Sequence, residues 1–310
     1  MKKAIATKLN QLATEQSNPA SADLDRKSSL EIARIINSED STVAAAVKRT
    51  LPQIAKAIDL IADSLRKGGR LIYVGTGTSG RIAAIDAVEC PPTFNAKPDT
   101  VQFIIAGGPE ALGAAVESNE DSAETGECEM AKRKPGKNDV VVGIAASGRT
   151  PFTIAAVRYA RREGARTVAV VCNRNSALEK AASIGIVIET GAEVISGSTR
   201  MKAGTAQKMV LNMLSSGAFT RIGYVYGNLM INVRPKNHKL AVRTVAILQR
   251  AATISADEAE LALNAAAGNL PTALVMLKAR VGLDSADRAL KAARGHVRQA
   301  ITSARRRSRN

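Results

Sequence analysis

Apolar and polar positions along this chain follow two periods that alternate through its centre. Leu71 to Val74 form an unbroken apolar run that closes at Gly75 and predicts a buried strand. Arg81, Ile82, Ile85 and Asp86 then follow at helical spacing. Val101 to Ala106 and Val140 to Ala146 repeat the strand signal, and Ile154 to Tyr159 the helical one. Ile186 to Ile188 and Val194-Ile195 are shorter strand candidates. Strand and helix patterns taken in turn predict an α/β fold, a doubly wound parallel sheet over residues 61–224. Residues 1–60 read as helical, with Leu30, Ile32, Ile35 and Ile36 and then Val43 to Ile61 on amphipathic runs. Beyond the sheet, GYVYGNLMINV is a short strand-like piece, and residues 248–300 read as three or so helices rich in alanine and leucine. The division expected is thus an N-terminal helical segment (1–60), the sheet domain (61–224), a C-terminal helical subdomain (225–304) and a basic tail (305–310).

Three segments between these elements share one chemistry. After the first strand comes GTGTSG, which offers Thr76, Thr78 and Ser79 just where a helix begins. Free backbone N–H groups and the positive end of the helix dipole favour an anion there, and the hydroxyls add donors. The same letters spell GxGxxG, but no acidic residue closes the next strand to hold a ribose, as a dinucleotide fold needs. A P-loop is disfavoured further because no Gly-Lys-Ser/Thr follows any glycine loop. The second segment presents Ser147, Arg149 and Thr150; the third presents Ser196, Ser198, Thr199, Arg200 and Lys202. One such loop is commonly a helix cap, but three would converge at the carboxyl edge of a parallel sheet, where open α/β folds bind ligands.

Composition narrows the chemistry. With 310 residues, 45% of them hydrophobic, the chain can bury a full core. No apolar run approaches a membrane span and MKKAIATKLNQ lacks a secretory core, so a cytoplasmic protein is expected. Cys90, Cys128 and Cys172 are odd in number and scattered, which suits a reducing compartment and no disulfide framework. Only His238 and His296 exist, so a histidine-based triad or zinc site is poorly supplied, and metal catalysis is not expected. The formal charge of +16 raises the question of nucleic acid, yet aromatic residues make up only 3% and no recognition motif is present. Arg305, Arg306, Arg307 and Arg309 read as a mobile solvated tail. Positive charge also steers small anionic substrates.

Two carboxylates complete the inventory. Glu89 ends the helix after the first loop, where Cys90-Pro91-Pro92 is expected to break it. Glu120 closes a second helical run, Ala111 to Asp121, with Glu117 one turn earlier as a solvated neighbour. Carboxylates in unlike surroundings can divide general-acid and general-base roles.

The motifs resemble those of the N-acetylmuramic acid 6-phosphate etherases, a family built on a sugar isomerase (SIS) domain. The resemblance runs through SNPASADLDR, LIYVGTGTSGR, ECPPTF, IAGGPEA, VVGIAASGRTPF, the block from Gly191 to Gly217, GNLM and NHKLAVR, almost the whole chain. It implies cleavage of the lactyl ether of N-acetylmuramate 6-phosphate to N-acetylglucosamine 6-phosphate and D-lactate, in the recycling of cell-wall sugars. It further implies Glu89 as the acid assisting lactate departure and Glu120 as the base at C2. Thr78, Ser79, Ser147, Arg149, Thr150, Ser196, Ser198, Thr199 and Lys202 are the expected substrate-binding groups. A homodimer with pockets near its interface, a ubiquitin-associated-like C-terminal bundle and no cofactor or metal are also implied. The sequence departs from the family at Val88, commonly serine, at Ser118-Asn119 in place of Gly-Ala, and in the arginine cluster. Rival readings are a non-catalytic sugar-phosphate sensor, as the glucokinase regulatory protein is, and a sugar-phosphate isomerase; neither needs both glutamates.

Overall fold

Continuous Val/Ile/Leu runs make a sheet that is covered on both faces. In a computed structural model, which describes residues 12–116, 119–233 and 238–307, five such runs are strands. They are β1 (Leu71–Gly75), β2 (Val101–Ile105), β3 (Val140–Ile144), β4 (Arg166–Val171) and β5 (Ile184–Val187). All pairs are parallel and the order is β2-β1-β3-β4-β5, with Tyr73 opposite Phe103 on one side and Val142 on the other. Glu117, Ser118, Arg309 and residues 1–11 lie outside the described residues, as does the side chain of His238.

The helices that accompany the sheet are α1 (Ser29–Asp40), α2 (Val43–Lys48), α3 (Leu51–Arg66), α4 (Gly77–Phe94), α5 (Ala123–Lys132), α6 (Pro151–Arg162), α7 (Ala177–Ala181) and α8 (Lys202–Arg221). Ile72, Val74, Val141, Phe152, Val157 and Leu178 are fully buried in one cluster that joins β1 and β3 to α6 and α7. A polar node sits inside: Asp86 of α4 accepts hydrogen bonds from Tyr73 Oη at 2.7 Å, Asn212 Nδ2 at 2.7 Å and Ser215 Oγ at 3.0 Å. Burial pushes the Asp86 carboxyl above its ordinary value despite these three donors.

Several expectations need correction. The helix α4 is not broken at Cys90; it continues through Pro91 and Pro92 to Phe94. The lost N–H groups fall in its last turn, where only the carbonyls of Ala87 and Val88 forgo their usual donors. No helix spans Ala111 to Asp121: a 3-10 turn covers Gly108–Leu112, and Glu120 lies in a turn just before the Ser122 cap of α5. Gly107 and Gly108, both at positive φ, and Gly113 limit that run to one turn. The Val43 to Ile61 run divides into α2 and α3, with Pro52 in the first turn of α3. Val194-Ile195 is irregular chain, not strand.

The described residues form two compact units, one reaching to Val88 and resuming over Asp99–Ser215, the other made of Glu89–Pro98 and the chain from Ser216 onward. In the second, a hairpin of β6 (Val225–Tyr226) and β7 (Leu229–Met230) accompanies five helices, three of them wholly within residues 248–300 as expected. These are α9 (His238–Ala252), α10 (Ala256–Ala265), α11 (Leu270–Ala279), α12 (Leu283–Ala292) and α13 (Val297–Arg307). Leu248, Leu270, Leu274 and Ile301 are in its core, and the Phe94 and Phe219 rings stack at 4.4 Å. Arg305 to Arg307 are the last turn of α13 and not a tail; Arg305 donates to the Lys278 carbonyl at 2.6 and 2.9 Å, which satisfies a helix C-terminus. Among the described residues no helix is long and apolar enough to cross a membrane.

Candidate active site

The strand order reverses between β1 and β3, because the chain leaves β1 for β2 on one side and later returns to β3 on the other. Loops following those two strands must diverge there and leave a crevice at their carboxyl ends. A cavity of about 360 Å³ opens at this place. Its walls come from Thr76 to Ser79 after β1, Ala145 to Ser147 and Thr150 after β3, and Ala111, Ala115, Val116 and Glu120 after β2. Gly197 and Thr199, Arg81 of α4 and Glu15 complete the lining.

Five expected binding residues therefore share one cavity: Thr78, Ser79, Ser147, Thr150 and Thr199, together with Glu120. Thr150 precedes α6, and its hydroxyl makes no capping hydrogen bond to that helix. Ser79 Oγ donates to Gln207 Oε1 at 2.9 Å, while the buried Gln207 Nε2 finds no partner among the described residues. The Glu120 carboxylate reaches the first loop, its Oε1 standing 3.2 Å from where a Cβ would be on Gly77. Gly77 has φ +48, a conformation that costs a side chain energy, so glycine suits both the turn and the approach of Glu120.

Other expected residues are placed elsewhere. Arg149 is exposed outside the lining; its N–H donates to Ser147 Oγ at 3.2 Å. Ser196 Oγ donates to the carbonyls of Glu15 and Gln16, both at 3.3 Å. Ser198 is a turn residue whose N–H donates to the Ile195 carbonyl at 2.9 Å. Lys202 is only 3% exposed and is a structural cation: its Nζ lies 2.5 Å from Glu39 Oε2, and its N–H donates to buried Glu193, which caps α8. A buried lysine needs a countercharge, which is why it turns inward instead of toward a ligand. Glu89 does not line the cavity; it stands exposed on α4, one residue beyond Val88.

Sequence reasoning missed two lining residues, Glu15 and Arg81, and Gln207 behind Ser79. Glu15 comes from a 3-10 turn (Ala13–Glu15) far from the sheet in the chain, and nothing in its local pattern marks it. Arg81 was read as a helix-face residue, but it lines the cavity and its Nη2 donates to the Ala114 carbonyl, bracing the chain that carries Glu120. Gln207 was hidden inside α8, where a polar residue on a buried face was the available signal. Among the described residues no group of three or more His, Cys, Asp or Glu side chains is placed to hold a metal ion.

The family models that match the chain agree with this architecture. Residues 53–161 match the family described as the glucokinase regulatory protein N-terminal SIS domain, and residues 121–216 match the SIS domain. In structure the chain is similar to a phosphoheptose isomerase from Francisella tularensis, with 20% identity, a TM-score of 0.48, and 63% of this chain and 100% of that one covered. An N-acetylmuramic acid 6-phosphate etherase from Rhodopirellula baltica is 52% identical over 272 residues, covering 88% of this chain and 90% of the relative. Another, from an Escherichia coli O1:K1 strain, is 53% identical over 269 residues, covering 87% and 90%. Identity of this degree across nearly the full length of both relatives places the chain in the N-acetylmuramic acid 6-phosphate etherase family.

Proposed function

We propose that this protein cleaves the lactyl ether of N-acetylmuramic acid 6-phosphate, releasing D-lactate and N-acetylglucosamine 6-phosphate. The observation that carries this reading is the Glu120 carboxylate in the same cavity as the hydroxyl loops of β1 and β3. In the open-chain sugar, the C2 proton is acidified by the adjacent aldehyde and the C3 ether oxygen is a β leaving group. Glu120 takes the C2 proton, the C3–O bond breaks as lactate leaves with a proton from an acid, and water adds at C3 of the conjugated aldehyde. Loss of the base makes the elimination difficult, so one residue dominates the assay.

The phosphate fits the hydroxyl cluster of Thr78 and Ser79 in the first turn of α4, Ser147 and Thr150 before α6, and Thr199 before α8. The amide of Gln207, turned by 180°, donates from Nε2 to Ser79 Oγ and frees the serine proton for a phosphate oxygen; the unpartnered Nε2 favours that orientation. Glu89 is assigned as the acid by its place in ECPPTF. Its exposure fits a homodimer in which a second copy covers α4: Ile85 and Val88 beside it are 60% and 56% exposed. The helix α1 points the same way, because it buries none of its residues although it carries Leu30, Ile32, Ile35 and Ile36. A cytoplasmic role in recycling cell-wall amino sugars follows from the substrate, an intracellular type of sugar phosphate.

The test is D-lactate release from N-acetylmuramic acid 6-phosphate by purified protein without added metal, with a Glu120→Ala control. Release by the wild type and not by the control is expected. Saturable binding of the sugar phosphate with no release would favour a sensor, the reading suggested by the match to the regulatory-protein SIS domain.

A further inference from the structure

Elimination starts from an aldehyde, whereas a 2-acetamido sugar 6-phosphate rests in water as a cyclic hemiacetal. Opening the ring requires a group that takes the proton of the anomeric hydroxyl O1 and a proton delivered to the ring oxygen O5. Among the described lining residues, Glu15 and Glu120 have side chains that can both accept and return a proton. Arg81 stays protonated, and the threonine and serine hydroxyls are weak bases. Glu120 is occupied at C2. We infer that Glu15 is a further catalytic residue that opens the sugar ring, taking the proton from O1 and returning it to O5. The inference rests on the etherase reading above for the identity of the sugar.

The segment bearing Glu15 is built into the site. Thr14 is fully buried, and Asn173 Nδ2 donates both to Thr14 Oγ1 and to the carbonyl of Ala146, a cavity residue, at 3.1 Å each. Ser196 Oγ holds the Glu15 and Gln16 carbonyls, and the Glu15 N–H donates to the Leu12 carbonyl at 3.0 Å to close its turn. On the cavity side, Glu15 Oε2 lies 3.4 Å from where a Cβ would be on Gly197. Each of the two carboxylates is thus set against a glycine of a different wall, Glu15 at Gly197 and Glu120 at Gly77.

Charge makes the presence of two carboxylates informative. A cavity that receives a phosphate gains nothing from negative groups unless each meets a hydrogen that it can bind or remove. The substrate offers two such hydrogens side by side, O1–H and C2–H. In the step assigned to Glu15, O1–H breaks as the C1=O bond forms. The C1–O5 bond breaks as O5–H forms. The carboxylate ends as it began, and no redox partner enters.

Ring opening can be measured without elimination, as exchange between the anomers of N-acetylglucosamine 6-phosphate, followed by NMR exchange spectroscopy at stoichiometric protein. Wild type and Glu120→Gln are expected to accelerate exchange above the protein-free rate, Glu15→Gln to leave it there, and Glu15→Asp to retain part. Glu15→Gln should also lower kcat for lactate release about 100-fold with little change in KM. Exchange at the wild-type rate in Glu15→Gln overturns the assignment, as does a wild type that releases lactate without accelerating exchange. Should Glu15→Gln fail to fold, Glu15→Asp decides, because an unchanged exchange rate with the retracted carboxylate overturns it equally. Exchange lost in Glu15→Gln with no lactate released by wild type would instead sink the etherase reading and leave the ring-opening role standing.

Discussion

The carboxylate of Glu120 is seated over Gly77, its Oε1 3.2 Å from the position a Cβ would take there. A methyl group at Gly77 would both crowd that oxygen and hold a side chain at φ +48, where L-residues lose roughly 1–2 kcal/mol. Gly77→Ala is therefore expected to lower the melting temperature modestly. Displacement of the base should cost more, lowering lactate release about tenfold or beyond. Activity that falls only in proportion to folded protein would count against the seating of Glu120.

Gln207 gives a separate handle on phosphate recognition. Gln207→Met removes the amide that positions Ser79, and a lost hydrogen bond of this kind is worth about 1 kcal/mol. The expected result is a several-fold rise in KM with kcat nearly unchanged. Steady-state kinetics decides, and a loss confined to kcat would place Gln207 in the chemistry instead.

Val88 tests assembly. Val88→Arg puts a charge on the exposed apolar face of α4, where burial in a dimer would leave it unpaired. Sedimentation velocity is expected to show a dimer for wild type and a smaller species for the variant. A wild type that sediments as a monomer would remove the homodimer.

Lys202→Met reads structure against ligand binding. Removing the cation leaves Glu39, with Asn18 as its remaining donor at 2.8 Å, partly buried without a countercharge. Because Glu39 stays partly solvated, breaking the pair costs about 1–2 kcal/mol, so denaturant unfolding should shift measurably. KM of the folded fraction should stay close to wild type; a large rise in KM with unchanged stability would restore the lysine to the substrate.

Acid sensitivity follows from Asp139. Burial pushes its carboxyl up, but hydrogen bonds from the Arg70 side chain and from the N–H groups of Gly136 and Arg70 outweigh this and leave it below the ordinary 3.8. A carboxyl lowered on folding stabilises the native state above its unfolded value, and that contribution is lost as pH falls through the folded value. Asp139→Asn should cost about 2 kcal/mol at pH 7. The gap to wild type should narrow as pH drops below 3.8; a gap constant with pH would contradict the linkage.

The strands were readable because a sheet covered on both faces leaves no room for polar side chains, and Val140 to Ile144 are buried without exception. Glycine and proline were less reliable punctuation. Pro91 and Pro92 sit inside α4, because only the final turn loses hydrogen bonds there. The described residues of Ala111 to Asp121, with helical composition, form no helix beyond the 3-10 turn that ends at Leu112, because Gly107 and Gly113 bound a segment too short to sustain one without tertiary packing.

From the sequence alone came the parallel α/β class, the hydroxyl loops as an anion site and Glu89 and Glu120 as a carboxylate pair, the base role of Glu120 being what the family resemblance implied. Those features are written locally, in runs of one residue type and in the order of strand, loop and helix. The tertiary structure decided which candidates share a cavity. Strand order brings the loops after β1 and β3 together, a buried ion pair withdraws Lys202, and a turn anchored on Thr14 carries Glu15 in from the beginning of the chain. Spacing along a chain sets what neighbours can do within an element. Membership of a site depends on distances across elements, which hydrogen bonding and burial fix only once the sheet has formed.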